Sequence, residues 1–177
     1  MKLILIRHGQ SQYNVLRKIN HSPHIKVSLT LQGEQEAKQA KQELENETWE
    51  CMFVSELYRT QQTGAMINEG RSSPIIIDAR INEYVNGYEG GSYDEYSSKT
   101  YLPEYAPHQG ESYLEFQERL RSFLKELFEK EYETVNIITH FSVIKAIYLL
   151  LFPQSEPPQP KTGEIFHIEL DKDSQPF

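Results

Sequence analysis

Leu3-Ile4-Leu5-Ile6-Arg7-His8-Gly9 decides the fold. Four consecutive apolar residues with no polar alternation describe a strand covered on both faces, as in a parallel sheet between helical layers. Arg7 and His8 then stand at its carboxyl end, and Gly9 turns the chain. In open α/β sheets that edge is where ligands bind. A histidine beside an arginine suits phosphate chemistry there. The guanidinium holds oxygens, and the imidazole can attack or protonate.

Two more segments repeat this design. Cys51-Met52-Phe53-Val54 is a short buried strand, followed by Ser55 and Arg59 at the start of a helix over Tyr58 to Glu69. Val135–Thr139 is another, followed by His140 and a mostly apolar helix from about Ser142 to Leu151. If these strands are parallel neighbours, Arg7, His8, Arg59 and His140 converge on one crevice. Two arginines and two histidines there would cage a tetrahedral dianion, and helices starting at the crevice would add N–H donors and positive dipole ends.

The remaining elements fit the same plan. Thr30 to Leu44 reads as a helix capped by Thr30, with Leu31, Ala37, Ala40 and Leu44 as its apolar stripe. Pro74 introduces a third strand at Ile75–Ile77. Glu111 to Tyr132 is strongly amphipathic, with Ser112 and Glu115 spaced as a capping box. Pro153, Pro157, Pro158 and Pro160 end the next helix, and Ile165–Leu170 alternates as an edge strand. The expected fold is three-layer α/β/α, with a mostly parallel central sheet and an antiparallel edge strand. Asn82 to Gln109 stands apart, with three glycines, two prolines and six tyrosines (Tyr84, Tyr88, Tyr93, Tyr96, Tyr101, Tyr105). We read one domain over 1–177, with a tyrosine-rich cap at about 84–109 and a possible short helix after Ser92.

Composition narrows the function classes. The 177 residues suffice for one domain with a substantial core. One cysteine, Cys51, excludes an internal disulfide framework and fits a reducing compartment. Met1-Lys2 leads only four apolar residues, too short for a secretory signal, and no apolar run reaches membrane-spanning length. The expectation is a soluble cytoplasmic protein without membrane association. A net charge of −8 argues against nucleic acid. The first 33 residues nevertheless carry Lys2, Arg7, Arg17, Lys18 and Lys26 and no acid. That local excess of +5 suits steering of a small anionic ligand to one mouth. The oligomeric state stays open.

Together these blocks resemble the histidine phosphatase superfamily, in the branch that includes the cofactor-dependent phosphoglycerate mutases. Arg7-His8-Gly9-Gln10-Ser11-Gln12-Tyr13-Asn14 resembles the opening motif, and Leu29-Thr30 with Gly33 and Ala37 the next block. Ser55-Glu56-Leu57-Tyr58-Arg59-Thr60 resembles the second-arginine block. Ile81-Asn82-Glu83 before Gly87-Tyr88-Glu89-Gly90 resembles the acid block, and Gly110-Glu111-Ser112 and Ile138-Thr139-His140 complete the order. The resemblance implies that His8 is the nucleophile, forming a phosphohistidine. It implies that Arg7, Arg59 and His140 hold the phosphoryl oxygens and that Asn14 is an auxiliary donor. Glu83 would protonate the leaving alkoxide and then serve as base toward water. Ser11, Phe141 through its backbone N–H, Tyr88 and Lys18 complete the expected substrate-binding set. No metal and no cofactor is implied, because the arginines supply the counter-charge.

Other readings of single residues stay open. Glu83 competes with Glu89, Asp94 and Glu95 in an acidic loop. His21 and His24 are spaced for a metal but lack further ligands. Cys51 reads as core. Gln10 stands where the family often has Glu, and Phe141 where a small residue is common. Within the cap, Lys99 is the one formal cation between Glu83 and Gly110. A mutase needs a second cationic site to hold its bisphosphorylated intermediate, so hydrolysis of a small-molecule phosphate ester is the favoured activity. The alternatives are a phosphoglycerate-type phosphomutase, a phosphoprotein phosphatase and a non-catalytic phosphate-binding module. The tyrosines suggest a leaving group with an apolar or ring face, and Lys18, His21 and Lys26 a contact to a second anionic group.

Overall fold

The computed structural model describes residues 1–95, 108–130 and 132–171. Five strands form one sheet: β1 (Lys2–Arg7), β2 (Cys51–Val54), β3 (Ile75–Ile77), β4 (Thr134–Thr139) and β5 (Ile165–Glu169), in the order β3-β2-β4-β1-β5. β1, β2, β3 and β4 run parallel, and β5 lies antiparallel against β1. The expected fold class is therefore borne out. β1 and β2 flank β4, with Arg7 opposite Thr139 and Val54 opposite Ile138. The carboxyl ends of these three strands lie side by side, at the point where the order of the sheet reverses.

Alternating side chains divide the core in two. Leu3, Leu5, Val135 and Ile137 face α4 (Tyr113–Glu129) and α5 (Phe141–Leu151), where Phe116, Leu120, Phe123, Leu124, Val143, Ile144 and Ile147 are buried. Ile4, Ile6, Met52, Val54 and Ile138 face α2 (Leu31–Glu43) and α3 (Tyr58–Asn68), against Ala40, Leu44, Trp49 and Ile67. Each large apolar side chain taken from water contributes about 1.5–3 kcal/mol. The central strands are apolar on both faces because both faces are covered. β3 closes the sheet, and Ile75 and Ile77 on it remain exposed.

Helix boundaries follow the caps. Thr30 Oγ1 accepts from Gly33 N at 3.1 Å and starts α2. Ser112 Oγ accepts from Glu115 N at 3.2 Å while Glu115 accepts from Ser112 N at 2.7 Å, so α4 begins at Tyr113 rather than Glu111. α5 begins at Phe141, one residue earlier than its composition suggests, because His140 takes an extended conformation and leads into it. Two short elements went unread in the sequence: α1 (Gln12–Val15), a single turn capped by Ser11 and Asn14, and a 3-10 turn at Ala79–Ile81 capped by Asp78. The expected short helix after Ser92 is a 3-10 turn at Tyr93–Glu95. Of the proposed cap, residues 96–107 lie outside the described residues, and with them Tyr96, Lys99, Tyr101 and Tyr105.

Gly9 and Gly33 are required by a close approach. A Cβ on Gly9 would collide with the backbone of Gly33, and one on Gly33 with the carbonyl of Gln10. The loop after β1 thus lies directly on the first turn of α2, which holds the backbone around His8 in place.

Candidate active site

His8 follows β1, and its backbone N–H donates to Thr139 O at 3.0 Å, so the residue is tied to the end of β4. Its side chain is buried. Nδ1 lies 2.7 Å from Gly9 O and Nε2 lies 3.0 Å from the Nε–H of Arg59. A carbonyl can only accept and a guanidinium can only donate, which assigns the proton to Nδ1 and the lone pair to Nε2. Burial holds the imidazole well below its usual value, reinforced by the charges of Arg59 and then Arg7. His8 is therefore a neutral imidazole whose free nitrogen faces a guanidinium.

Arg59 comes from the first turn of α3, which places it over the carboxyl ends of the strands. It is buried, and burial lowers its pKa to about 10. Its donors are nearly all engaged. Beyond His8, Nη1 donates to Asn20 Oδ1, and Nη2 donates to Asn20 O at 3.0 Å and to His140 Nδ1 at 3.1 Å. Arg7 projects from the end of β1, where Nη1 donates to Pro160 O at 2.8 Å and the guanidinium lies 5.3 Å from the centre of the Phe141 ring. Its Nε–H is buried without a partner, and burial lowers its pKa.

His140 leads into α5 and lies behind His8, with ring centres 5.2 Å apart at 62°. Nδ1 accepts from Arg59, so Nε2 carries the proton and donates to Ser55 Oγ at 2.7 Å. Ser55 Oγ in turn reaches Thr60 Oγ1 at 2.8 Å, whose hydroxyl is satisfied by Leu57 O and by Ser55 O at 3.0 Å. Burial, followed by the charge of Arg59, holds His140 well below its usual value, like its neighbour. Both nitrogens of His140 thus serve neighbouring protein groups.

The cavity in front of this cluster has a volume of about 430 Å³. Arg7, His8, Ser11, Asn14, Lys18, Arg59, Glu83 and Phe141 line it. Of the residues read from the sequence as a site, His140 and Tyr88 do not line it. His140 is fully buried behind His8, and Tyr88 lies in a turn whose carbonyl accepts from Gly91 N at 2.9 Å. Lys18 reaches the cavity, whereas Lys26 is drawn off over the Tyr58 ring at 4.2 Å and His21 is buried beside Glu89. Cys51 is core.

The position of Glu83 follows from α4. Arg119 donates to Glu83 O at 3.2 Å and to Arg80 O at 2.6 Å while its guanidinium pairs with Glu111. Glu111 accepts from Val85 N at 3.0 Å. The acid-bearing segment is thereby fastened to the helix, and Glu83 Oε1 accepts from Tyr84 N at 2.9 Å. Asn14 Oδ1 accepts from Ser11 N and Ser11 Oγ, both at 2.9 Å.

Tyr93, Asn20 and Asn86 also line the cavity. Tyr93 feels the charges of Glu83, Arg7 and Arg59, with burial and then Glu83 raising its pKa. It is brought there by backbone pairing of residues 17–19 with 90–93. Ile19 N donates to Gly91 O at 2.9 Å, Gly90 N to Ile19 O at 2.8 Å and Tyr93 N to Arg17 O at 3.0 Å. Arg17 takes a positive φ of 52° at the turn, and its side chain pairs with Asp94 at 2.7 Å. Among the described residues no group of three or more His, Cys, Asp or Glu is arranged to hold a metal ion.

Comparison with known proteins gives the same constellation a lineage. The family model described as histidine phosphatase superfamily (branch 1) matches residues 3–174. Phosphoserine phosphatase 1 of Hydrogenobacter thermophilus is 28% identical over 162 residues, covering 85% of this chain and 76% of that protein. Adenosylcobalamin/alpha-ribazole phosphatase of Escherichia coli is 27% identical, covering 83% and 77%. Among solved structures, YhfR of Bacillus stearothermophilus superposes with a TM-score of 0.86 at 27% identity, covering 96% of this chain and 91% of that one.

Proposed function

The chain belongs to branch 1 of the histidine phosphatase superfamily, and we propose that it hydrolyses a small-molecule phosphate monoester through a phosphohistidine on His8. The observation that carries this reading is the hydrogen bonding of His8. With Nδ1–H held by Gly9 O and the residue buried among cations, the imidazole is neutral and its Nε2 lone pair points toward Arg59. A nucleophile needs that lone pair.

In the first step Nε2 attacks phosphorus and the bond to the leaving oxygen breaks. Arg59 and Arg7 stabilise charge on the equatorial oxygens, and Arg59 gives up its hydrogen bond to Nε2 as the phosphoryl group arrives. Glu83 donates its proton to the leaving alkoxide. In the second step Glu83 takes a proton from water, the oxygen attacks phosphorus, and Nε2 leaves with its lone pair restored. Asn14, the backbone N–H of Phe141, and Lys18 serve as substrate donors, and Ser11 holds Asn14 in place. His140 orients Arg59 from behind.

Hydrolysis is favoured over mutase chemistry by the cavity lining. Apart from Arg7 and Arg59 its described cation is Lys18 alone, less than a second phosphate requires. Tyr84, Asn86 and Tyr93 line this cavity, which supports a cap role for their segment within a single domain. The free, buried thiol of Cys51 fits a cytoplasmic enzyme.

A metal-free panel of phosphate esters, with phosphate release measured for wild type and His8→Ala, tests the reading. Wild type turns over and forms an acid-labile, base-stable phosphoenzyme, while His8→Ala does neither. Full activity in His8→Ala, or a requirement for magnesium, overturns it.

A further inference from the structure

We propose that Glu89 is a positioning residue for the phosphate cage, acting on Arg59 through Asn20. The inference rests on the reading above that Arg59 holds the transferring phosphoryl group, and it concerns what aims Arg59.

Three donors converge on the Glu89 carboxylate. Oε1 accepts from Asn20 Nδ2 at 2.9 Å, and Oε2 accepts from the backbone N–H groups of His21 and Ser22, each at 2.7 Å. His21 Nδ1 also approaches Oε2 at 3.3 Å. Hydrogen bonds to an ionised acceptor are about twice as strong as neutral ones. Glu89 therefore fixes the backbone of the loop at residues 20–22. Its two neighbours fix the preceding residue, because Gly90 N and Gly91 O both pair with Ile19.

The contact with Asn20 matters most. An amide has one donor end and one acceptor end. With Nδ2 held by Glu89, and also reaching Ser22 O at 3.2 Å, Oδ1 must point the other way. There it accepts from Arg59 Nη1, while the Asn20 carbonyl accepts from Nη2 at 3.0 Å. These two bonds sit on one edge of the guanidinium. They orient its opposite side, so that Nε–H meets His8 at 3.0 Å and Nη2 meets His140 at 3.1 Å. Asn20 and Arg59 are 6% and 5% exposed, so both contacts are largely shielded from water. Removing the carboxylate leaves the amide free to turn its NH₂ toward the guanidinium, where two donors would face each other.

A residue that merely stabilised the loop would cost folding free energy but would act regardless of Arg59. A double-mutant cycle separates the two. Glu89→Gln keeps the size of the side chain but offers its own N–H to converging donors. Asn20→Ala removes the relay from its other end and carries the same test should Glu89→Gln fold poorly. Each is made in wild type and in Arg59→Ala, and kcat and KM are measured on an aryl phosphate beside the thermal midpoint. The expected result is a loss in kcat/KM of about 10-fold or more with Arg59 present, mostly in kcat, and of less than about 2-fold when Arg59 is already alanine. Equal losses in both backgrounds overturn the inference, as do single variants with undiminished kcat/KM. Wild-type turnover in Arg59→Ala alone would instead remove Arg59 from the chemistry, and the inference with it.

Discussion

The Nε–H of Arg59 donates to Nε2 of His8 across 3.0 Å, so the nitrogen available for attack is capped by the group that would bind the phosphoryl oxygens. The contact keeps the imidazole in the Nδ1–H tautomer and aims Nε2 at the place where the guanidinium lies. A phosphate ester must replace His8 as the acceptor of that bond. Lysine keeps the charge but has no fork, and it cannot serve His8, Asn20 and His140 together. Arg59→Lys should therefore lower kcat by about 10²-fold or more. Steady-state kinetics on an aryl phosphate checks this, and a loss below about 5-fold would show that charge alone suffices.

Ser55 holds His140 in its tautomer. The proton on Nε2 points at Ser55 Oγ, 2.7 Å away, inside the protein. Ser55→Ala leaves that buried N–H without an acceptor, which costs about 1–3 kcal/mol. The variant should lose that much stability in urea unfolding. It should also lose activity, because His140 can then turn away from Arg59. An unchanged urea midpoint would mean that another acceptor replaces Ser55.

His8 and His140 make stability depend on pH in a definite direction. Burial and then Arg59 hold both imidazoles well below their usual value, and burial lowers His21 as well. In the unfolded chain they titrate near 6.5. Above that pH neither state binds these protons, and stability is level. Below it the unfolded chain takes up protons that the folded one refuses, so stability falls as pH falls. Each histidine contributes up to about 1.4 kcal/mol per pH unit within that window. The urea midpoint should drop steadily from pH 7 to pH 5, and less steeply in His8→Asn. A level midpoint over that range would contradict neutral burial of these side chains.

Tyr93 lines the cavity together with Asn14 and Lys18, where its hydroxyl is placed to bond to a bound ester. A single hydrogen bond of this kind is worth about 0.5–1.5 kcal/mol, or roughly 2- to 12-fold. Tyr93→Phe should raise KM by that factor and change kcat little, since the ring remains while the hydroxyl facing the bound ester is lost. A loss confined to kcat would place the hydroxyl in the chemistry instead.

The pattern of legibility has a physical cause. Leu3–Ile6 and Met52–Val54 were readable because a strand covered on both faces is apolar throughout, and Val135–Thr139 because Val135, Ile137 and Ile138 keep that pattern around Asn136. Arg7 and His8 were readable because they end and follow such a strand, and Arg59 because it opens the helix after one. Thr30 and Ser112 announced their helices through their caps. α1 escaped because a four-residue turn has no periodicity, and its cap uses Asn14 where Glu or Gln is usual. Tyr93, Asn20 and Asn86 escaped because loop pairing between 17–19 and 90–93 brings them to the cavity, and no spacing in the chain encodes that pairing. Glu89 was visible only as one acid among several. Its partners are two backbone N–H groups and an amide, which leave no signature in residue type.

The α2–α3 side of the sheet holds a polar group with no visible purpose. Asn136 lies in the middle of β4, paired in register with Ile4 and Met52, and is fully buried. Neither its Oδ1 nor its Nδ2 has a hydrogen-bond partner, and Trp49 Nε1 in the same region is likewise buried without one. A buried polar group left unpaired costs about 1–3 kcal/mol. A β-branched apolar residue suits a central strand and removes that penalty. Asn136→Val should therefore raise stability by about 1–3 kcal/mol, which for a chain of this length is a gain of roughly 3–9 °C in Tm. Activity should be unchanged, because the reacting groups lie beyond the carboxyl end of β4. Calorimetry beside phosphate release checks both parts. A lowered Tm would mean that the amide is satisfied in solution, as by an internal water.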